Sequence, residues 1–304
     1  MSSYRHHPSR SWTPTSPLPR FVAAGALAAA TLAGVTAARA DQIGPYSSRT
    51  LTLGRGTLRI DGGAPDFGYF HPASPQALNE NRGFRLQVPP PEGDVAAWLG
   101  VGVAGGITDD IEVGGLVLPL KLGPEADIDD LEAYGRFRFL DGPFEMAFQA
   151  TLQFPAYTNW GLGLGLPMLA HVGQGFRIDT GFELEMLFPE QNTIVALDVP
   201  AAFTWDLGPY GFLGLRTGLY AGDLVDDHDR DDRLGAVVPL GIHGGGVLGR
   251  GKIDLSAWFM WPWFLDPGRD RPDPTPRNPD HREPHPIEVE GFEIGFGING
   301  RIPT

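Results

Sequence analysis

Residues 143–154, "PFEMAFQATLQF", alternate apolar and polar positions with almost no error. Phe144, Met146, Phe148, Ala150, Leu152 and Phe154 fall on one parity, and Glu145, Gln149, Thr151 and Gln153 on the other. Side chains of a strand point to opposite faces every second residue, so this segment predicts a strand with one apolar and one polar face. The same period returns in 176–188, where Phe176, Ile178, Phe182, Leu184, Met186 and Phe188 oppose Arg177, Asp179, Glu183 and Glu185. It returns again in 195–205, 253–263 and 292–302. In 160–170 the apolar parity (Leu162, Leu164, Leu166, Met168, Ala170) alternates with Gly161, Gly163, Gly165 and Pro167. Twelve strands are predicted: near 50–60, 96–107, 111–121, 131–140, 143–154, 160–171, 176–188, 194–206, 210–220, 234–247, 252–264 and 288–302. The phase of 50–60 and of 111–121 is ambiguous. Helical periodicity is scarce.

The connections sort into two kinds. After even-numbered strands they are short: "TDD" at 108–110, "DG" at 141–142, "VGQG" at 172–175, "DLGP" at 206–209 and "LGRG" at 248–251. After odd-numbered strands they are mostly longer and charged or proline-rich: 61–95, 123–130, 223–233 and 266–286, with short exceptions near 155–159 and 189–193. Aromatic residues gather at strand ends. Tyr157, Trp160, Tyr220, Trp261 and Trp263 fall near the long-loop rim, and Phe139, Phe144, Trp205 and Tyr210 near the short-turn rim.

Which face looks inward decides the class. A water-soluble protein with the apolar face inside would need two packed sheets, because twelve strands closed into one barrel leave a hole that large apolar side chains would line. Glycine and charge share a face in most of these strands, and inward glycine lets a sheet curve and relieves crowding. With the apolar face turned to lipid, no filled oily core is needed and closure leaves no unpaired edge in the bilayer. The expected fold is therefore all-β, a transmembrane antiparallel up-and-down β-barrel of about 12 strands.

Composition and charge narrow the setting. The first forty residues carry Arg5, Arg10, Arg20 and Arg39, no acidic residue, an apolar run from Phe21 to Val35, and Ala38-Arg39-Ala40 before Asp41. They read as a secretory signal peptide, residues 1–40, with cleavage after Ala40. The barrel domain is then 41–304. Taking four arginines from the 23 basic residues leaves 19 against 37 acidic ones, a net charge of −18. Phosphate binding needs clustered Lys and Arg, so nucleic acid is excluded as a partner. There is no cysteine, so backbone pairing and packing must hold an exported chain together.

At this point the chain resembles the bacterial outer-membrane β-barrel proteins as a broad class, over about residues 50–302. The resemblance implies an outer-membrane, porin-like transmembrane protein of a Gram-negative cell, surrounded by outer-membrane lipid and monomeric. One feature departs from the pattern, since the last strand, "FGINGRIPT", carries no terminal aromatic residue.

Short motifs add little chemistry. "GVGVAG", 100–105, and "GVLGRGK", 246–252, resemble nucleotide-binding glycine loops, but each leads into a strand where a helix is needed, and Ile253 replaces the Ser or Thr of a phosphate loop. The run "DDHDRDD", 226–232, lacks the Gly and distant Glu of a calcium loop. If the turn centres between Gly249 and Arg250, His243 and Ser256 sit opposite each other with Asp254 nearby, a pairing suited to acyl transfer. A lumen hydrogen bond is the plainer reading, no oxyanion hole is visible, and the chain is read as no enzyme. No cofactor or metal is implied.

The candidate site is the polar face itself. Glu132, Glu145, Asp179, Glu183, Glu185, Asp198, Asp254 and Glu293, with Arg136, Arg138, Arg177, Arg216 and Arg301, would line the lumen. Rings of charged side chains select ions in pores. The expectation is a narrow passive pore for small polar solutes or cations, with 61–95 and 266–286 filtering entry. The alternatives are a non-conducting barrel that displays its loops for adhesion or scaffolding, and, behind it, a barrel hydrolase.

Overall fold

The computed structural model describes residues 45–62, 83–88, 96–123, 127–128, 131–154, 160–188, 193–222, 235–249, 251–265 and 292–304. The expected signal peptide, the acidic run 226–232, the loop 266–286, Tyr157 and most of 61–95 lie outside the described residues.

A single 3-10 turn, Tyr46–Ser48, precedes the strands. These are β1 (Thr57–Asp61), β2 (Gly83–Val88), β3 (Ala96–Gly106), β4 (Ile111–Gly123), β5 (Asp127–Ile128), β6 (Leu131–Leu140) and β7 (Phe144–Phe154), followed by β8 (Trp160–His171), β9 (Phe176–Phe188), β10 (Ile194–Asp206), β11 (Gly211–Gly222), β12 (Gly235–Leu248), β13 (Ile253–Leu265) and β14 (Phe292–Pro303). From β6 to β14 each strand pairs antiparallel with its neighbour in sequence, and β3 and β6 flank β4. Both β1 and β2 lie between β14 and β3. β1 pairs Thr57 with Pro303 and Leu58 with Gly105, and β2 pairs Val88 with Phe292 and Gly83 with Gly100. They fill one strand position in two pieces, and β5 only extends the pairing along β4. The result is a closed antiparallel barrel of twelve strand positions. Closure satisfies every wall strand on both edges, as a bilayer requires.

Alternation along each strand sets the two faces. Phe137, Phe139, Phe144, Phe148, Leu152, Trp160, Phe182, Trp205, Tyr210, Leu215, Phe296 and Ile298 stand exposed on the outside. Their sequence neighbours Arg138, Glu145, Gln153, Glu183, Thr204 and Asn299 are buried. The inside-out expectation therefore holds, and strand ends match within two residues for 96–107, 131–140, 160–171, 176–188 and 194–206. The short-turn rim is tight. Val172 N–H donates to Phe176 O at 2.9 Å across a turn whose Gly173 and Gly175 have φ of +64° and +83°. A side chain there would be strained.

Three expectations need correction, and one ambiguity is resolved. The segment 50–60 is not one wall strand: only Thr57–Asp61 joins the sheet, and the residues before it run inside the barrel. The linker 61–95 contains β2. The phase of 111–121 was ambiguous for a physical reason: Leu118 pairs with Val101 and Leu116 with Gly102, so Val117 is a bulge. Val117 and Leu118 both face outward, and the two halves of β4 have opposite parity. Finally, Tyr220 is buried on the inner face opposite Asp198, so it is no part of an outer aromatic belt.

Candidate functional site: the charged inner face

All thirteen residues expected to line the lumen lie on the inner face. Glu132, Arg136, Arg138, Glu145, Arg177, Asp179, Glu183, Asp198, Asp254, Glu293 and Arg301 are buried, while Glu185 and Arg216 are partly accessible. They divide along the barrel. Near the short-turn rim acids and bases are bonded together. Arg177 Nε and Nη2 reach Asp179 at 2.8 and 2.5 Å. Arg301 Nη1 reaches Asp254 Oδ2 at 2.6 Å. Arg138 reaches Glu145 at 3.2 Å and Asp110 at 2.9 Å. Arg136 holds Gln149 Oε1 through Nε at 3.0 Å and Nη2 at 2.7 Å. Toward the long-loop rim the balance changes. Glu132 and Glu293 sit one residue inside the starts of β6 and β14, and Glu183, Glu185 and Asp198 occupy the far ends of β9 and β10. Glu183 and Asp198 are direct cross-strand partners. The charged side chains described in that half are acidic, and the register places Arg85 of β2 opposite Gly295 and Lys121 of β4 opposite Trp98 in the same half.

Glycine makes room for this layer. The Trp258 indole lies across Gly295 of the neighbouring strand, so a Cβ at Gly295 would fall 1.9 Å from Trp258 Cζ2. The indole N–H is thereby aimed at Glu293 Oε1, 3.0 Å away. Tyr134 covers Gly114 in the same way and donates to Glu112 Oε1 at 2.6 Å. Gly295→Val is expected to cost about 1–3 kcal/mol by overpacking. Loss of heat-modifiable mobility on a gel, at a lower temperature than for the parent, would report it; an unchanged transition would show that Trp258 moves aside freely.

Sequence reasoning missed the segment that crosses this end. Tyr46 stacks on Phe212 of β11 with centroids 4.1 Å apart. Ser47 N–H donates to Asp206 Oδ1 at 3.1 Å, and its hydroxyl meets the other carboxylate oxygen. Leu51 N–H donates to Glu145 Oε2 at 2.9 Å and Leu53 N–H to Glu112 Oε2 at 2.7 Å. In return, Arg177 Nη1 donates to Arg49 O at 3.0 Å and Arg136 Nη1 to Leu51 O at 2.5 Å. His171 lies between Ser47 O, 2.8 Å from Nδ1, and Glu145 Oε1, 3.1 Å from Nε2, and so bridges the segment to the wall. The Arg49 guanidinium forms a two-pronged pair with Asp254 of β13. Glu112, His171 and Asp206, together with the Arg59–Asp61 pair at 2.9 Å, also went unforeseen. The signal available for Glu112 was hidden by the bulge at Val117.

The His243–Ser256 pairing does not assemble. Leu248 pairs with Ile253, which places the turn centre one residue later than expected and shifts every partner by two. His243 therefore opposes Trp258, with Nε2 3.0 Å from Thr204 Oγ1. Ser256 opposes Gly245 and its hydroxyl points at Gly297 O, 3.5 Å away. The two glycine motifs lie in β3 and in the β12–β13 turn.

A closed up-and-down barrel of twelve positions, apolar outside and charged within, is the fold of the bacterial outer-membrane β-barrels. Among solved structures, an outer membrane channel from Pseudomonas putida F1 is similar over 87% of this chain and 100% of its own, at 11% identity and a TM-score of 0.51. The NanC porin is similar over 72% of this chain and 100% of its own, at 8% identity and a TM-score of 0.48. OmpT, an outer membrane protein of Vibrio cholerae, covers 72% of this chain and 94% of its own, at 8% identity and a TM-score of 0.33. At such identities the likeness is one of fold. No family model and no curated protein matches the sequence.

Proposed function

We propose that the protein is a monomeric passive pore of the outer membrane for small cations or small polar solutes, entered from the long-loop side. The observation that carries this reading is the group of carboxylates on the inner face of that half, Glu132, Glu183, Glu185, Asp198 and Glu293, with Glu185 in part accessible. Carboxylates in a narrow, low-dielectric passage raise the local concentration of cations and repel anions. The exposed apolar outer belt fits a surrounding of lipid, and one chain closes the barrel alone. The outward aromatics Trp160, Phe139, Phe144 and Trp205 fit the two interfaces.

Joint Glu183→Gln and Glu185→Gln substitution is expected to lower the preference for potassium over chloride about two- to threefold, because two fixed charges leave the path. The check is the reversal potential of the refolded protein in a planar bilayer under a potassium chloride gradient. An unmoved reversal potential would take these residues off the ion path. A second reading, a non-conducting scaffold, is favoured by the bonded network and internal segment at the short-turn end, and stable insertion without conductance would select it.

A further inference from the structure

The bonds between the wall and residues 45–53 follow a rule. The wall bonds the backbone N–H of Ser47, Leu51 and Leu53 with carboxylates. It bonds the carbonyls of Ser47, Arg49 and Leu51 with His171, Arg177 and Arg136. The residues used are 47, 49, 51 and 53, every second one, the spacing at which backbone groups on one edge of a chain recur. Each donor meets an anion and each acceptor a donor from a cationic or imidazole side chain, the stronger class of hydrogen bond. The wall groups come in spatial order. Asp206 is on β10, Arg177 on β9, His171 on β8, Glu145 on β7, Arg136 on β6 and Glu112 on β4, so the segment follows the inner wall past successive strands. Two side chains then reach onward, Tyr46 to Phe212 of β11 and Arg49 to Asp254 of β13.

We infer that the short-turn end of the lumen is a binding site for a polypeptide backbone, and that Pro45–Leu53 is its resident ligand, a tethered plug latched by Arg49 to Asp254. Most of the recognition is addressed to main-chain groups, which any sequence without proline at the donor positions supplies. The side chains of Tyr46, Ser47 and Arg49 set the register. Charged groups supply its polar bonds, and Tyr46, Leu51 and Leu53 bury their side chains in small apolar clusters, with Ala202, Phe212 and Val247, with Ala147 and Leu169, and with Ala104 and Tyr134. No residue of 45–53 belongs to the sheet, so departure of the plug breaks no pairing between wall strands. Its effect on conduction rests on the pore reading; its seating does not.

The test uses the refolded barrel, whose lack of cysteine makes cross-linking clean. Paired Ser47→Cys and Asp206→Cys substitutions put two thiols where the side chains already meet. Mild oxidation of the folded barrel is expected to join them, seen as a mobility change reversed by reductant. Arg49→Ala, and separately deletion of residues 45–53, are expected to raise single-channel conductance about twofold or more, since the lumen widens at its narrowed end. A synthetic peptide of residues 45–54 added to the deletion variant is expected to restore the parent level. A folded barrel that does not cross-link would overturn the binding site. Cross-linking with conductance indifferent to both changes would overturn the plug. Cross-linking with no conductance in any variant would support the binding site and overturn the pore reading.

Discussion

Replacing Asp254 by alanine is expected to destabilise the folded barrel by about 3–5 kcal/mol, the range for breaking a buried ion pair from one side. This carboxylate, 1% exposed, receives Arg301 of β14 at 2.6 Å and Arg49 of the internal segment. It thus ties the wall to the plug across the lumen. Removing it leaves two guanidinium groups without this partner in a confined space. Asp254→Asn keeps two polar atoms at the site and should cost clearly less. Urea titration of the refolded protein in lipid vesicles measures both. A double-mutant cycle with Arg301→Met should return a coupling of about 0.5–3 kcal/mol. An Asp254→Ala midpoint equal to that of the parent would show that the network contributes no stability and that its charges serve conduction alone.

The second large effect lies on the opposite face. Phe182, at the middle of β9, is 42% exposed and points away from the lumen. If that surface meets hydrocarbon, Phe182→Arg should cost about 2–4 kcal/mol, the penalty for a cation at the bilayer midplane of a barrel. If it met water, the same change would fall within about 0.5 kcal/mol, as at ordinary exposed positions. The contrast between Phe182→Arg and a rim substitution such as Tyr210→Arg sharpens the test, because the penalty fades toward the interface. Equal and small effects at both sites would remove the bilayer from the outer face.

Much of the architecture was legible because a transmembrane barrel writes its geometry into the chain twice. Period-two alternation marks the strands, and the contrast between short turns such as Asp141-Gly142 and long charged connections marks the rims. Since each wall residue answers to only one of two environments, parity alone assigned Glu145, Asp179, Glu183 and Arg301 to the inside. Where parity failed, a local irregularity was responsible. The bulge at Val117 reverses the phase within β4, so Glu112 carried no clear signal. Register failed for a related reason. A hairpin centre displaced by one residue moves every cross-strand partner by two, and that separated His243 from Ser256.

By itself the sequence determined the class of fold, the strand positions over most of the wall, which face is turned outward, and which charges point inward. These follow from local periodicity, and a closed barrel pairs neighbours in sequence, so local information suffices for most of it. Only the tertiary structure decided that the first wall position is made in two pieces, β1 and β2, because that depends on both pieces finding β14 and β3 at opposite ends of the chain's length. Only it decided that residues 45–53 lie within the lumen. Nothing in the pattern of that segment is unusual, since most of the bonds that hold it there use its main chain, and main-chain groups are the same in every sequence. Their partners are side chains up to 159 residues away, brought to one rim by closure of the barrel.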